Sequence, residues 1–235
     1  MNIHFFKSIF LLVLFLPLTA FAELPWQHNE HTRVLALGDS ITAGYGADPT
    51  LNGYAYKLYK QGVFDAPVHT LFANAAVPGV TSSDVRNYQV PQVERFSPDV
   101  IVMTVGGNDL IAVLEGRTQA ATALAIFQEN LTQSLLSLCL RTKVPYVYVS
   151  NIYGILELGA QVNYVVGLFN QVLEGVVTSV AASGCPVKLV DVNTAFAGRK
   201  GLLLIERNGA NPDEVHPTNA GYRVMAEAFK RVINE

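Results

Sequence analysis

The chain alternates two hydrophobic patterns. Short runs of consecutive apolar residues, rich in β-branched side chains, fall at Val34–Leu37, Val68–Phe72, Val100–Val105, Tyr146–Val149 and Val187–Val190, each bounded by turn or polar residues. They predict five strands. Between and after them, Thr118–Leu140, Gln161–Ala182 and Thr218–Ile233 read as helices, the last with Val224, Ala228 and Val232 at helical spacing. Strand and helix in alternation predict a parallel sheet. Strands that are apolar at every position must be covered on both faces, so the expected fold class is α/β, a three-layer α/β/α sandwich on a five-stranded parallel sheet. Ligands gather at the carboxyl ends of such strands.

The first residues follow a different pattern. A lone Lys7 precedes an apolar stretch from Ile9 to Phe21 that ends in Ala20-Phe21-Ala22, the arrangement of a cleaved secretory signal peptide. The run is shorter than the roughly 20 apolar residues of a spanning helix, so no stable membrane anchor is expected after cleavage. The reading is residues 1–22 as signal peptide and 23–235 as one domain, exported to the periplasm or beyond and monomeric. The 16 basic and 19 acidic residues give a net charge of −3 with no long basic run, which argues against nucleic acid as a partner. Export implies an oxidising compartment, where Cys139 and Cys185 are expected to bridge at the amino-terminal edge of the sheet. Asn130-Leu-Thr132 matches a glycosylation sequon.

Polar residues that follow the strands are the candidates for chemistry. The first strand delivers Gly38, Asp39 and Ser40, with Gly38 and Gly44 bracketing the serine. After the second, Pro78-Gly79 suits the centre of a type II turn with the Gly79 amide free to point outward. The third ends in Gly106-Gly107-Asn108-Asp109, where Asn108 offers an amide NH₂. Near the C-terminus, Asp213 and His216 stand three apart. That spacing lets a carboxylate reach an imidazole within one helical turn, ahead of a helix whose first turn is expected to hold Pro217. Taken singly, each is more often a turn or a cap than a site.

Together the segments "GDSITAG" (38–44), "GGND" (106–109) and "DEVH" (213–216) resemble the SGNH, or GDSL, hydrolases, a family of esterases and lipases. The resemblance covers nearly the whole mature chain, departing at Ile41, where the family name has leucine. It implies a flavodoxin-like sandwich, with Ser40 as nucleophile, His216 as base and Asp213 as the acid that orients it. It also implies an oxyanion hole formed by the Ser40 and Gly79 amides and the Asn108 side chain. No metal and no cofactor is implied. Asp39, adjacent to Ser40, is assigned to stabilising the turn. The loop after the fourth strand holds Ile152, Tyr153, Ile155 and Leu156, which either line an acyl pocket or pack beneath the next helix. Lipid-like acyl esters, lysophospholipids or thioesters are the favoured substrates, with carbohydrate O-acetyl ester hydrolysis as the enzymatic alternative. A non-catalytic, exported small-ligand-binding module is the alternative of another class, needing Ser40 but no histidine beside it.

Overall fold

The computed structural model describes residues 31–208 and 214–235. The expected signal peptide and Asp213 lie outside the described residues. Five parallel strands, β1 (Thr32–Gly38), β2 (Thr70–Asn74), β3 (Val100–Thr104), β4 (Tyr146–Ser150) and β5 (Val187–Val190), form one sheet in the order β2-β1-β3-β4-β5. The helices that matter here are α1 (Ser40–Ala43), α2 (Tyr54–Lys60), α3 (Gly107–Leu114), α4 (Ala120–Leu136), α5 (Gly159–Ala182) and α6 (Asn219–Ile233).

The period-2 geometry of a strand sends successive side chains to opposite faces. In β1, Val34 and Ala36 join a core with Tyr54, Leu58, Met225 and Phe229, under α2 and α6. Leu35 and Leu37 join the opposite core with Phe127, Leu131, Phe169 and Leu173, under α4 and α5. β3 repeats the division, Val100 and Val102 against Ile101 and Met103. Aromatic pairs lock each layer: Tyr54 stacks on Phe229 at 4.5 Å, and Phe127 meets Phe169 at 5.3 Å. The stretch Leu156–Ala182 is long and apolar enough to cross a membrane by length and composition. In the fold, Val166, Phe169, Leu173, Val176, Val177 and Val180 of α5 form a buried stripe against the sheet.

Local chemistry moved three of the expected boundaries. β2 begins at Thr70 because Pro67 opens a 3₁₀ turn over Pro67–His69 that leaves Val68 exposed. α4 stops at Leu136 and passes into a wider turn over Ser137–Arg141. Pro217 is not in the first turn of α6: it pairs with Leu203 in an isolated antiparallel bridge, and Thr218 caps the helix by accepting from the Gly221 N–H. The sequon fails on burial. Asn130 is 6% exposed and its Nδ2 donates to Ser82 Oγ at 3.2 Å, so the folded chain offers no glycan acceptor there. The cysteine expectation holds: Cys139 and Cys185 are bonded, with Cα atoms 5.6 Å apart, just ahead of β4 and β5.

Candidate active site

The carboxyl ends of β1, β2 and β3 build a shelf for Ser40. β1 ends at Gly38, whose φ is +113°, and a Cβ there would lie 1.9 Å from the Thr104 carbonyl oxygen. Only glycine fits. Buried Gln89 grips the same residue from both sides: Gly38 N–H donates to Oε1 at 2.7 Å, and Nε2 donates to the Gly38 carbonyl at 2.9 Å. The turn then delivers Ser40 as the first residue of α1.

Asp39 caps α1, its Oδ1 accepting from the Ile41 N–H at 3.0 Å and from the Thr104 hydroxyl at 2.7 Å. Because Thr104 has committed its proton to Asp39, the Thr42 hydroxyl must donate to Thr104 at 2.8 Å. Tyr54 must in turn donate to Thr42 at 2.8 Å. The result is a one-way, buried relay, Tyr54 to Thr42 to Thr104 to Asp39. Burial pushes the Asp39 carboxyl up to about 6, against the hydrogen bonds from Thr104 and Ile41, which pull it down. Its place is therefore behind the serine, as a turn carboxylate.

The next two loops lean on this shelf. Val77 N–H donates to the Gly38 carbonyl at 3.0 Å, and Val80 N–H reaches the Val77 carbonyl at 3.5 Å. With Gly79 at φ +85° this is the expected type II turn, and nothing lies within 4 Å of where a Gly79 Cβ would stand, so the backbone angle alone requires glycine. Asn108, in the first turn of α3, donates from Nδ2 to the Val80 carbonyl at 2.8 Å. That bond ties α3 to the Gly79 turn and leaves the second amide hydrogen uncommitted among the described residues. Asp109 turns inward instead, accepting from the Ser82 N–H and hydroxyl at 2.8 and 2.6 Å, with burial raising its pKa.

His216 reaches the shelf from the chain's other end. Its Nε2 lies 2.8 Å from Ser40 Oγ, within hydrogen-bond reach across 176 residues of sequence, the spacing that a serine activated by a histidine requires. Exposed Tyr45 covers the imidazole with ring centroids 4.6 Å apart, and Tyr222 fixes the Tyr45 carbonyl from below. The segment carrying the histidine is pinned by its backbone: Leu204 N–H donates to the His216 carbonyl at 2.9 Å and Thr218 N–H to the Leu202 carbonyl at 2.8 Å.

The loop after β4 takes mostly the second of its two expected courses and packs inward. Tyr153 is 5% exposed, stacked on Phe196 at 4.8 Å, and its hydroxyl donates to the Val215 carbonyl at 2.9 Å. Ile155 is 6% exposed in the α2–α6 core, and Ile152 packs against the α4–α5 core. Three asparagines, Asn163, Asn170 and Asn193, hold the N–H and carbonyl groups of Ile152 and Ile155 on either side of Tyr153. Of the four residues only Leu156 is exposed, lining a cavity of about 450 Å³ with Phe196, Leu202 and Leu203. Neither Gln89 nor the Val215-holding role of Tyr153 is visible in the sequence, since their partners lie 51 and 62 residues away.

The family model described as GDSL-like lipase/acylhydrolase matches residues 34–229. Among curated proteins, the chain is 26% identical to the uncharacterized protein YpmR of Bacillus subtilis (strain 168), over 88% of this chain and 83% of that one. Its fold is similar to that of Axe2, an acetylxylan esterase from Geobacillus stearothermophilus, with 20% identity, 88% and 95% of the two chains covered and a TM-score of 0.68. It is also similar to the lipase Lip_vut3 from a goat rumen metagenome, at 24% identity, 86% and 97% coverage and a TM-score of 0.63.

Proposed function

We propose that this chain, which belongs to the GDSL-like lipase/acylhydrolase family and hydrolyses esters, does so by nucleophilic catalysis through Ser40 and His216. The observation that carries the reading is the 2.8 Å contact between Ser40 Oγ and His216 Nε2. As Ser40 Oγ attacks the ester carbonyl, His216 takes its proton and passes it to the departing alcohol, leaving an acyl-enzyme. Water, deprotonated by the same imidazole, then releases the acid and restores the serine. Asp213 is assigned to orienting the imidazole. The Ser40 and Gly79 amides and the spare Asn108 N–H are assigned to the developing oxyanion, where one donor contributes about 2.7 to 4 kcal/mol.

For the substrate we propose an aliphatic acyl ester, of the lipid-like class. Support comes from exposed apolar side chains: Tyr45, 56% exposed against His216, and Val77, 50% exposed two residues before Gly79. The O-acetyl sugar alternative draws on the fold shared with an acetylxylan esterase. The binding-module reading, which needs no histidine at the serine, has no support from the Ser40–His216 contact. Export is part of the proposal, and the Cys139–Cys185 bridge favours an oxidising compartment.

A series of nitrophenyl esters from acetyl to palmitoyl, run beside acetylated xylo-oligosaccharides, tests the substrate class. The expected result is a kcat/KM that rises from acetyl to a medium chain. A maximum at acetyl together with sugar deacetylation would replace the proposal with the carbohydrate reading.

A further inference from the structure

We infer that Glu206 is a positioning residue for His216, acting through the loop that holds the histidine's backbone. The inference rests on the serine–histidine reading above. Glu206 lies in the short helix Ile205–Asn208, and its carboxylate gathers three consecutive backbone N–H groups. Gly201 N–H donates to Oε2, while Leu202 and Leu203 N–H donate to Oε1 at 2.9 and 3.0 Å. Successive amides converging on one anion form a nest, and an ionised carboxylate is the side-chain end that can accept all three at once.

The nested segment is the one that grips the histidine. Leu202 accepts from the Thr218 N–H at 2.8 Å, Leu203 bridges Pro217, and Leu204 donates to the His216 carbonyl at 2.9 Å. The Gly201 carbonyl accepts from the Thr218 hydroxyl at 2.9 Å. His216 itself and the two residues that follow it, Pro217 and Thr218, are thus bonded to the stretch 201–204 whose shape the Glu206 carboxylate sets. Tyr153 holds Val215 from the opposite side. Without the carboxylate, three amides would have to find water, and the strand-like pairing that fixes the imidazole against Ser40 would lose its far side. Positioning errors of this size are costly: a displacement of about 1 Å can lower a rate about a hundredfold.

The experiment compares Glu206→Gln, His216→Ala and the double variant, each checked for folding by circular dichroism. Glutamine keeps the length but has one acceptor atom where the carboxylate has two, and its NH₂ faces an amide N–H. The expected result is a kcat lowered about ten- to a hundredfold with KM within about twofold, and a shifted pH–rate midpoint. In the His216→Ala background the substitution should cost nothing further, because its effect passes through the histidine. Glu206→Asp, with charge but a shorter arm, should fall between, and it carries the comparison if the glutamine variant folds poorly. Wild-type kcat and pH profile in a folded Glu206→Gln, or a loss that adds in full to that of His216→Ala, would overturn the inference. Full turnover by His216→Ala sinks the serine–histidine reading itself, and this inference with it.

Discussion

Ser40 and His216 stand 2.8 Å apart, yet the protein holds them by different means. Ser40 sits where a strand ends and a helix begins, and its supports are Gly38, the Asp39 cap and hydroxyls of the adjoining strand and helix, buried in a relay that ends at Tyr54. His216 sits on a segment outside the sheet, and its supports reach it through backbone atoms: Leu202, Leu204 and the Tyr153 hydroxyl. The first device is rigid because it is part of the core. The second is a loop made rigid by polar latches, which cost little sequence pattern and much long-range contact. A site assembled in this way can change its loops while its shelf stays constant.

The largest expected effect tests both halves at once. Ser40→Ala and His216→Ala should each lower kcat about a millionfold toward the residual rate supplied by binding and the oxyanion donors, with folding intact by circular dichroism. A thermal midpoint unchanged in Ser40→Ala would fit a shelf that carries the hydroxyl without depending on it. Turnover above a few per cent in the serine variant ends the proposed mechanism. A histidine variant as active as wild type would leave Ser40 standing and remove its partner.

The same contrast explains what was legible in the sequence. The five strands and three of the helices were readable because burial on both faces writes continuous apolar runs and helical stripes. The shelf residues Gly38, Ser40, Gly79 and Asn108 were readable because a strand-end turn packs its chemistry into a few adjacent positions. The supports were not. Gln89 lies in a single helical turn over Val85–Gln89 with no motif around it, and its amide bonds Gly38, 51 residues back. Tyr153 stayed open between lining and packing because a tyrosine among isoleucines in a loop carries the same pattern whether it faces ligand or core. Its burial is fixed by partners far along the chain, Phe196 against its ring and the Val215 carbonyl at its hydroxyl, while Asn163, Asn170 and Asn193 hold the backbone of Ile152 and Ile155 beside it. Nothing in the sequence around Glu206 sets it apart from a surface acid, since its partners are backbone N–H groups. Asn130 shows the converse error, a local motif whose side chain the fold spends on Ser82.

A smaller effect separates the two halves. The Cys139–Cys185 bridge spans 46 residues and lies at the amino-terminal edge beneath β4 and β5, the half of the sheet whose far ends lead to Tyr153. In the chain-entropy description a loop of that length contributes about 4 kcal/mol by restricting the unfolded chain. The double Cys→Ser variant should therefore melt well below wild type, with kcat at 25 °C unchanged, since the latches on His216 are made at the opposite edge. A kcat that fell in fully folded variant protein would mean that the histidine's arm leans on this half of the sheet more than its own hydrogen bonds indicate. An unchanged melting temperature would mean that the bridge constrains nothing the fold does not already fix.

The smallest effect belongs to the shelf alone. Asp39 is raised to about 6 from an ordinary 3.8, chiefly by burial. In the unfolded chain it ionises near 3.8, so between that pH and about 6 the unfolded state releases a proton that the folded state keeps. The stability tied to this group is complete below about pH 3.8 and declines as pH rises through 6, a difference of at most about 3 kcal/mol. The Asp39→Asn variant would retain a side-chain acceptor for Ile41 and Thr104 but carry no charge to desolvate. Relative to wild type, the variant should gain stability in urea between about pH 4 and about pH 7.5 by about 2 to 3 kcal/mol, while other carboxylates cancel from the comparison. Parallel stability curves would show that Asp39 ionises in the fold at no cost. Amide exchange adds the decisive contrast: the change should appear at Ile41, Thr42 and Thr104, and leave Leu204 and Thr218 as they were. Were the latches on His216 to loosen as well, the two halves would be one cooperative unit, and the division between shelf and arm would have to be given up.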